Sequence, residues 1–103
     1  MTSLTIPTEE PRPVIVCTKH RGVVFGYAAG DLNADPIALT KARMALYWPR
    51  EQGGVFGLGE IGPVAGAKIS AQLDEVLLKD ITAIFSVSAA AEAKWRDAPV
   101  VSR

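Results

Sequence analysis

Val14-Ile15-Val16-Cys17-Thr18-Lys19-His20-Arg21-Gly22-Val23-Val24-Phe25-Gly26-Tyr27-Ala28 is two apolar runs separated by a short polar turn that ends in glycine. β-Branched and aromatic side chains pack well on a pleated, half-buried surface. Two such runs around a short glycine-containing turn predict a β-hairpin. Gly26, inside the second run, predicts a bulge or a close backbone approach.

Downstream, residues 29–36 hold Gly30, Asp31, Asn33, Asp35 and Pro36, which is dense turn chemistry. From Ile37 to Trp48 no helix breaker intervenes before Pro49. A helix is open to this stretch on propensity. Its short apolar pieces, Ile37-Ala38-Leu39 and Met44-Ala45-Leu46-Tyr47-Trp48 around a polar centre, fit two strands or one bent strand slightly better. Residues 53–66 carry six glycines and Pro63. Each glycine loses extra backbone entropy on ordering, so a long loop is expected, with a short helical turn near Phe56 to Glu60. Ala67-Lys68-Ile69-Ser70 reads as a short strand. Val76-Leu77-Leu78 and the run from Ile81 to Val87 read as the last strand region, broken at Asp80. Strict alternation puts Ile81, Ala83, Phe85 and Val87 on one face and Thr82, Ile84 and Ser86 on the other. Ser88 is an N-cap for a helix over residues 88–98. Glu92 near its start and Lys94 and Arg96 near its end match the helix dipole, and Ala91 and Trp95 share a face. Pro99 ends it.

Upstream, residues 1–13 contain Pro7, Pro11 and Pro13 and read as an extended, flexible arm able to cross onto a neighbouring subunit. The expected organisation is therefore an arm over 1–13, a single domain over 14–98 and a tail over 99–103. The expected fold class is mainly β, a β-dominated α+β domain. It is a small open barrel or twisted antiparallel sheet of five to seven short strands, with one C-terminal helix.

At 103 residues the chain has room for one domain, and a 49% hydrophobic content argues against intrinsic disorder. Eleven basic residues balance eleven acidic ones. No global field then draws the protein onto nucleic acid or an anionic membrane, and both are disfavoured as partners. Cys17 is the single cysteine, so no intramolecular disulfide forms and a reducing compartment is the natural reading. The first ten residues lack a signal-peptide pattern, and no apolar run approaches the roughly 20 residues of a membrane span. A cytoplasmic protein is expected.

Gly57-Leu58-Gly59-Glu60-Ile61-Gly62 matches G-x-G-x-x-G. The dinucleotide fingerprint also needs a preceding strand and a βαβ unit, and Pro63 interrupts the required helix, so a structural glycine loop is expected. Cys17 and His20 lack a third, orienting group for nucleophilic catalysis and fall short of a zinc site. No catalytic constellation, metal or cofactor is expected, and the reading is a binding module. Lys19, His20 and Arg21 form the densest basic cluster, with Arg43 and Lys68 near other turns and Tyr47-Trp48 beside Arg50. Charge and aromatic stacking together suit an anionic, nucleotide-like ligand. They also suit a protein interface, and Trp48 in the core is the competing structural reading. The candidate ligand residues are Lys19, His20, Arg21, Arg43, Tyr47, Trp48 and Lys68.

The residues from Cys17 to Tyr27, Ala42-Arg43-Met44-Ala45-Leu46-Tyr47-Trp48, Gly62-Pro63, Lys68-Ile69-Ser70, the strand from Asp80 to Ile84 and the helix through Trp95 resemble a family of small proteins encoded by bacteriophages and prophages. The resemblance spans roughly residues 14–98. It implies a β-rich fold and a place in the host cytoplasm. By analogy with small phage proteins it implies a counter-defence factor that sequesters an anionic nucleotide-like signal. The alternative is a protein–protein module, either an inhibitor of a host protein or a minor virion or assembly component. A homo-oligomer is expected, because a small β domain has edges to cover.

Overall fold

The expected hairpin forms as two antiparallel strands, β1 (Arg12–Thr18) and β2 (Val23–Ala28), with Ile15 opposite Phe25 and Val16 opposite Val24. The structure is a computed structural model that describes residues 11–19, 22–30, 32 and 35–101. Most of the expected N-terminal arm, residues 1–10, lies outside the described residues, while Arg12 and Pro13 already belong to β1.

Of the readings open to residues 37–48, one bent strand is correct: β3 (Ile37–Tyr47) runs for 11 residues. Its pairing with β2 slips by one, since Phe25 lies opposite Arg43 but Tyr27 lies opposite Thr40. Lys41 takes φ 51° within this bulge. An extra residue exchanges the faces of a strand. Ile37 and Leu39 before the bulge therefore share an apolar cluster with Ala42 after it, and Ala45 belongs to the cluster on the opposite face. Gly26 sits against this irregularity, and a Cβ there would lie 2.8 Å from Leu39 Cβ.

The other edge of β3 is lined by one bent stretch of chain. β4 (Lys68–Ile69) pairs with Ala45 and Tyr47, and β5 (Leu73–Leu78) pairs with residues from Ile37 to Ala42. At the bend, the Ser70 N–H donates to Met44 O (2.9 Å) and the Met44 N–H donates to Ser70 Oγ (2.8 Å). β6 (Ile81–Ser86) returns to pair antiparallel with β1. The sheet order is β4-β3-β2-β1-β6, with β5 also beside β3. β5 and β6 thus lie at opposite margins of the sheet, yet only Lys79 and Asp80 separate them, so the sheet must curl. Three hydrogen bonds hold that junction. The Asp35 carboxylate accepts from the Asp80 and Ile81 N–H groups, each at 3.2 Å, and the Lys19 N–H donates to Asp80 O at 2.9 Å.

The curl makes two cores. The inner one joins Val14, Val16, Val24, Ala28, Ile37, Leu39 and Ala42 to Val76 and Leu78 of β5 and Ile81 and Ile84 of β6. Ile81 corrects the expected alternation: Cys17 lies opposite Ala83 but Thr18 opposite Ile81, so an extra residue, Thr82, turns Ile81 to the face of Ile84. The outer core joins Ile15, Val23, Phe25, Ala45, Ile69 and Val87 to Leu58 of α1 (Gly54–Glu60) and to Ala91 and Trp95 of α2 (Ala89–Asp97). Trp95 is fully buried, stacks on Phe25 at 5.0 Å and 6°, and donates its indole N–H to Leu58 O at 2.9 Å. The Ser88 hydroxyl caps α2 by accepting from the Ala91 N–H at 3.0 Å.

α1 extends the expected helical turn near Phe56 to Glu60 and replaces most of the expected glycine loop, so the described residues hold two α-helices where one was expected. Its glycines are contact points. A Cβ on Gly57 would collide with the Gln52 carbonyl, and one on Gly59 would lie 2.8 Å from Ser86 O. The expected tail also contributes, because Val100 forms a parallel bridge to Ile69 and the Val101 N–H donates to Ile69 O at 3.0 Å.

Trp95→Ala is expected to cost about 3–5 kcal/mol in chemical denaturation, through lost transfer energy and the cavity left behind. Gly57→Ala is expected to destabilise although alanine is the better helix former. A stabilised Gly57→Ala variant would contradict the contact with Gln52.

Candidate functional site

The bulge in β3 decides the fate of Arg43. It turns the side chain toward α2, where it is 4% exposed. Nε donates to Ser70 O at 2.9 Å and Nη1 donates to Trp95 O at 2.7 Å. Trp95 is in the last turn of α2, where helix carbonyls lack intrahelical partners and a cation complements the dipole. Nη2 is buried with no hydrogen-bond partner among the described residues. Burial lowers the pKa, but a guanidinium keeps its charge throughout the working range. The expected surface ligand for an anion is thus a structural tie between the β4–β5 bend and the C-terminal helix.

Tyr47 and Lys68 are brought together. They lie opposite one another across β3 and β4, and both are exposed. Trp48 is half-buried against the outer core, neither free at the surface nor sealed inside. Lys19 is exposed at the end of β1, beside the β5–β6 junction. His20 and Arg21 lie outside the described residues. The expected constellation therefore separates into the Tyr47–Lys68 pair, the packed Trp48, the distant turn residue Lys19 and the buried Arg43.

Three recesses are formed by described residues, and none of these three is lined by Lys19, Arg43, Tyr47, Trp48 or Lys68. One, of about 340 Å³, opens at the mouth of the inner core between Val24, Ala42, Met44, Leu73, Val76 and Leu78, with no charged residue in its lining. A second, of about 330 Å³, lies between residues 63–67, Ile69 and the end of α2 and includes Lys94 and Asp97. The third lies where α1 meets β6, at Phe56, Phe85 and Ser86. Phe56 is 71% exposed and stands edge-on to Phe85 at 5.2 Å. Leu73 and Leu77 of β5 are 59% and 58% exposed. The outer edges of β5 and β6 carry no strand partner among the described residues.

The G-x-G-x-x-G run starts on α1 at Gly57 and ends past it at Gly62 (φ 81°), beside an antiparallel sheet, and its glycines allow close packing against Gln52, Ser86 and α2. Burial pushes the Cys17 thiol up, away from the thiolate a nucleophile needs. No group of three or more metal-ligating side chains occurs among the described residues. No helix among them is long and apolar enough to cross a membrane.

Two polar anchors were not anticipated. Gln52 is 1% exposed; its Nε2 donates to Gly62 O at 2.6 Å and its Oε1 accepts from the Val64 N–H at 3.0 Å. It holds the chain that follows α1 much as a paired strand would. The Tyr27 hydroxyl donates to Glu92 Oε2 at 2.6 Å, tying β2 to α2. The Tyr27 pKa is pushed up to about 12, first by burial and then by Glu92, against an opposing effect of Arg96. No spacing in the sequence links residues so far apart.

Arg43→Met is expected to destabilise the fold, by up to about 3–5 kcal/mol if the partners are left unpaired, whereas Tyr47→Ala should stay within about 1 kcal/mol; denaturant titration separates the two. The folded Tyr27 phenol holds its proton more tightly than the unfolded one. Its contribution is therefore fully present below pH 10 and is lost as the pH rises from 10 toward 12. Stability measured across that window should fall less steeply in Tyr27→Phe than in the parent.

Residues 11–95 match a domain of unknown function, DUF6948. No curated protein and no solved structure matches the chain. The matched span runs through all six strands and both helices as far as Trp95, and so includes the Phe25–Trp95 stack and the Arg43 tie. The chain belongs to the DUF6948 family.

Proposed function

We propose that this chain is a non-enzymatic protein–protein interaction module. The observation that carries the reading is the outer edge of β5, unpaired among the described residues, beside an apolar recess, with Leu73 and Leu77 exposed along it. An unpaired strand edge offers a row of N–H and C=O groups to an extended partner segment. Main-chain pairing gives affinity, and a pocket for one side chain gives selectivity. Here the partner segment runs along β5 and inserts an apolar residue between Met44, Leu73 and Leu78. Exposed Asp74 and Glu75 favour a basic residue beside that anchor.

The resemblance to phage-encoded proteins supports a host protein as the partner and the host cytoplasm as the place of action. Inhibition or counter-defence then follows from occupying a surface the host protein needs. A second reading keeps one observation in its favour: Tyr47 and Lys68 offer a ring face and a cation side by side to an anionic, nucleotide-like molecule.

Affinity capture from host lysate, with the parent and a Leu73→Asp, Leu77→Asp variant as paired baits, tests the first reading. A partner held by the parent and lost by an equally folded variant is the expected result; equal capture by both would sink it. Thermal melting against cyclic and linear nucleotides, including ADP-ribose-type molecules, tests the second. A ligand that binds only the folded state raises the melting temperature. A selective rise that Tyr47→Ala and Lys68→Ala abolish would shift the assignment to nucleotide capture.

A further inference from the structure

We propose that the outer edge of β6 is a self-association seam, at which β6 pairs antiparallel with β6 of a second copy of this chain about a two-fold axis. The inference concerns a different edge from the β5 site and stands independently of it.

Among the described residues both margins of the sheet end in a strand with one neighbour: β5 pairs only with β3, and β6 pairs only with β1. Their chemistry differs. β5 carries Asp74 and Glu75, both exposed. β6, Ile-Thr-Ala-Ile-Phe-Ser, carries no charge and no proline. Charged side chains and prolines are the usual guards against edge pairing, and this strand lacks both.

The same contrast selects the occupant. In a two-fold antiparallel pair, a short strand meets its own sequence reversed, so two like charges near its middle come close to one another's copies. Self-pairing of β5 with full overlap sets Asp74 diagonal to Glu75 of the second copy, and the reverse, at two places in the seam. Self-pairing of β6 brings no charges together. The neutral strand is thus the margin suited to a second copy, and the acidic one is suited to a different partner.

Side-chain size agrees with this. If Ile84 lies on the axis, Phe85 falls opposite Ala83 of the second copy, and the reverse. Phe85 and Ala83 share a face, since their β1 partners are Ile15 and Cys17. Ala83 is exposed and small, and leaves room for a ring. Phe56, edge-on to Phe85 and 71% exposed, then gains cover from the incoming strand. An aromatic ring left this bare beside a free, uncharged edge is what such a seam would explain.

Sedimentation velocity of the full chain over a wide concentration range tests the seam. The parent should sediment as a dimer. Ala83→Lys, at a position already exposed, should give half that mass while its amide NMR spectrum remains dispersed. Phe56→Asp should weaken the dimer in the same direction, and Leu77→Lys on β5 should leave it intact. A parent that stays monomeric throughout, a dimer that survives both Ala83→Lys and Phe56→Asp, or a dimer that Leu77→Lys alone dissolves would overturn the proposal.

Discussion

Between Thr40 and Arg43, β3 holds one residue more than the strand opposite it, and Lys41 absorbs the difference at φ 51°. Side chains alternate along a strand, so one extra residue hands each later position to the other face. Ala42 consequently lines the inner core and Ala45 the outer one. The same shift delivers a guanidinium to the end of α2, where Trp95 needs a donor. The two halves of the strand serve different partners along its far edge, β5 before the bulge and β4 after it. Gly26 is the counterpart on β2, since any side chain there would press into Leu39. Remove the bulge and the apolar pattern of β3 no longer fits either core.

The outer core is organised around Trp95 in a comparable way. Its ring stacks on Phe25, its N–H reaches α1 through Leu58 O, and its carbonyl receives Arg43. One residue therefore connects α2 to β2, to α1 and to β3. Such burial needs near neighbours, and the bare backbone of Gly59 lets α1 come close to β6 at Ser86. Arg43 itself is a mixed contributor. A buried cation is costly to desolvate, and two carbonyl contacts offset that cost only in part while Nη2 lacks a partner.

What was legible in the sequence is what local chemistry decides. The first hairpin follows from two β-branched runs and a glycine turn, and α2 from its serine cap, its charge order and the spacing of Ala91 and Trp95. α1 is legible only as a short helical turn near Phe56 to Glu60, because the entropy cost of its glycines is local whereas the contacts that offset it come from Gln52 and Ser86, outside the helix. Gly26 marks the irregularity between β2 and β3, whereas the extra residue in β6 is not legible, since alternation carries no mark where a register slips. The candidate site suffered most from this. Arg43 is polar and was read as a surface group, but its burial depends on a bulge and on a helix carbonyl 52 residues away. Tyr47 and Lys68 were identified separately, and only the β3–β4 pairing makes them neighbours.

Closure of the sheet by its first and last strands has a consequence for synthesis. Val16 of β1 meets Ile84 of β6, a separation of about seventy residues, and a ribosome adds only about 5–20 residues per second. For several seconds, on that rate, β1 to β3 exist without the strand that completes them. During that interval Val14, Val16, Val24 and Leu39 face water or a chaperone rather than Ile81 and Ile84. Pairings between chain segments this far apart also form slowly, since the loop must close before any contact rewards it. The nascent chain is thus most exposed to misassociation just before its last strand emerges, and the order of its elements sets that delay.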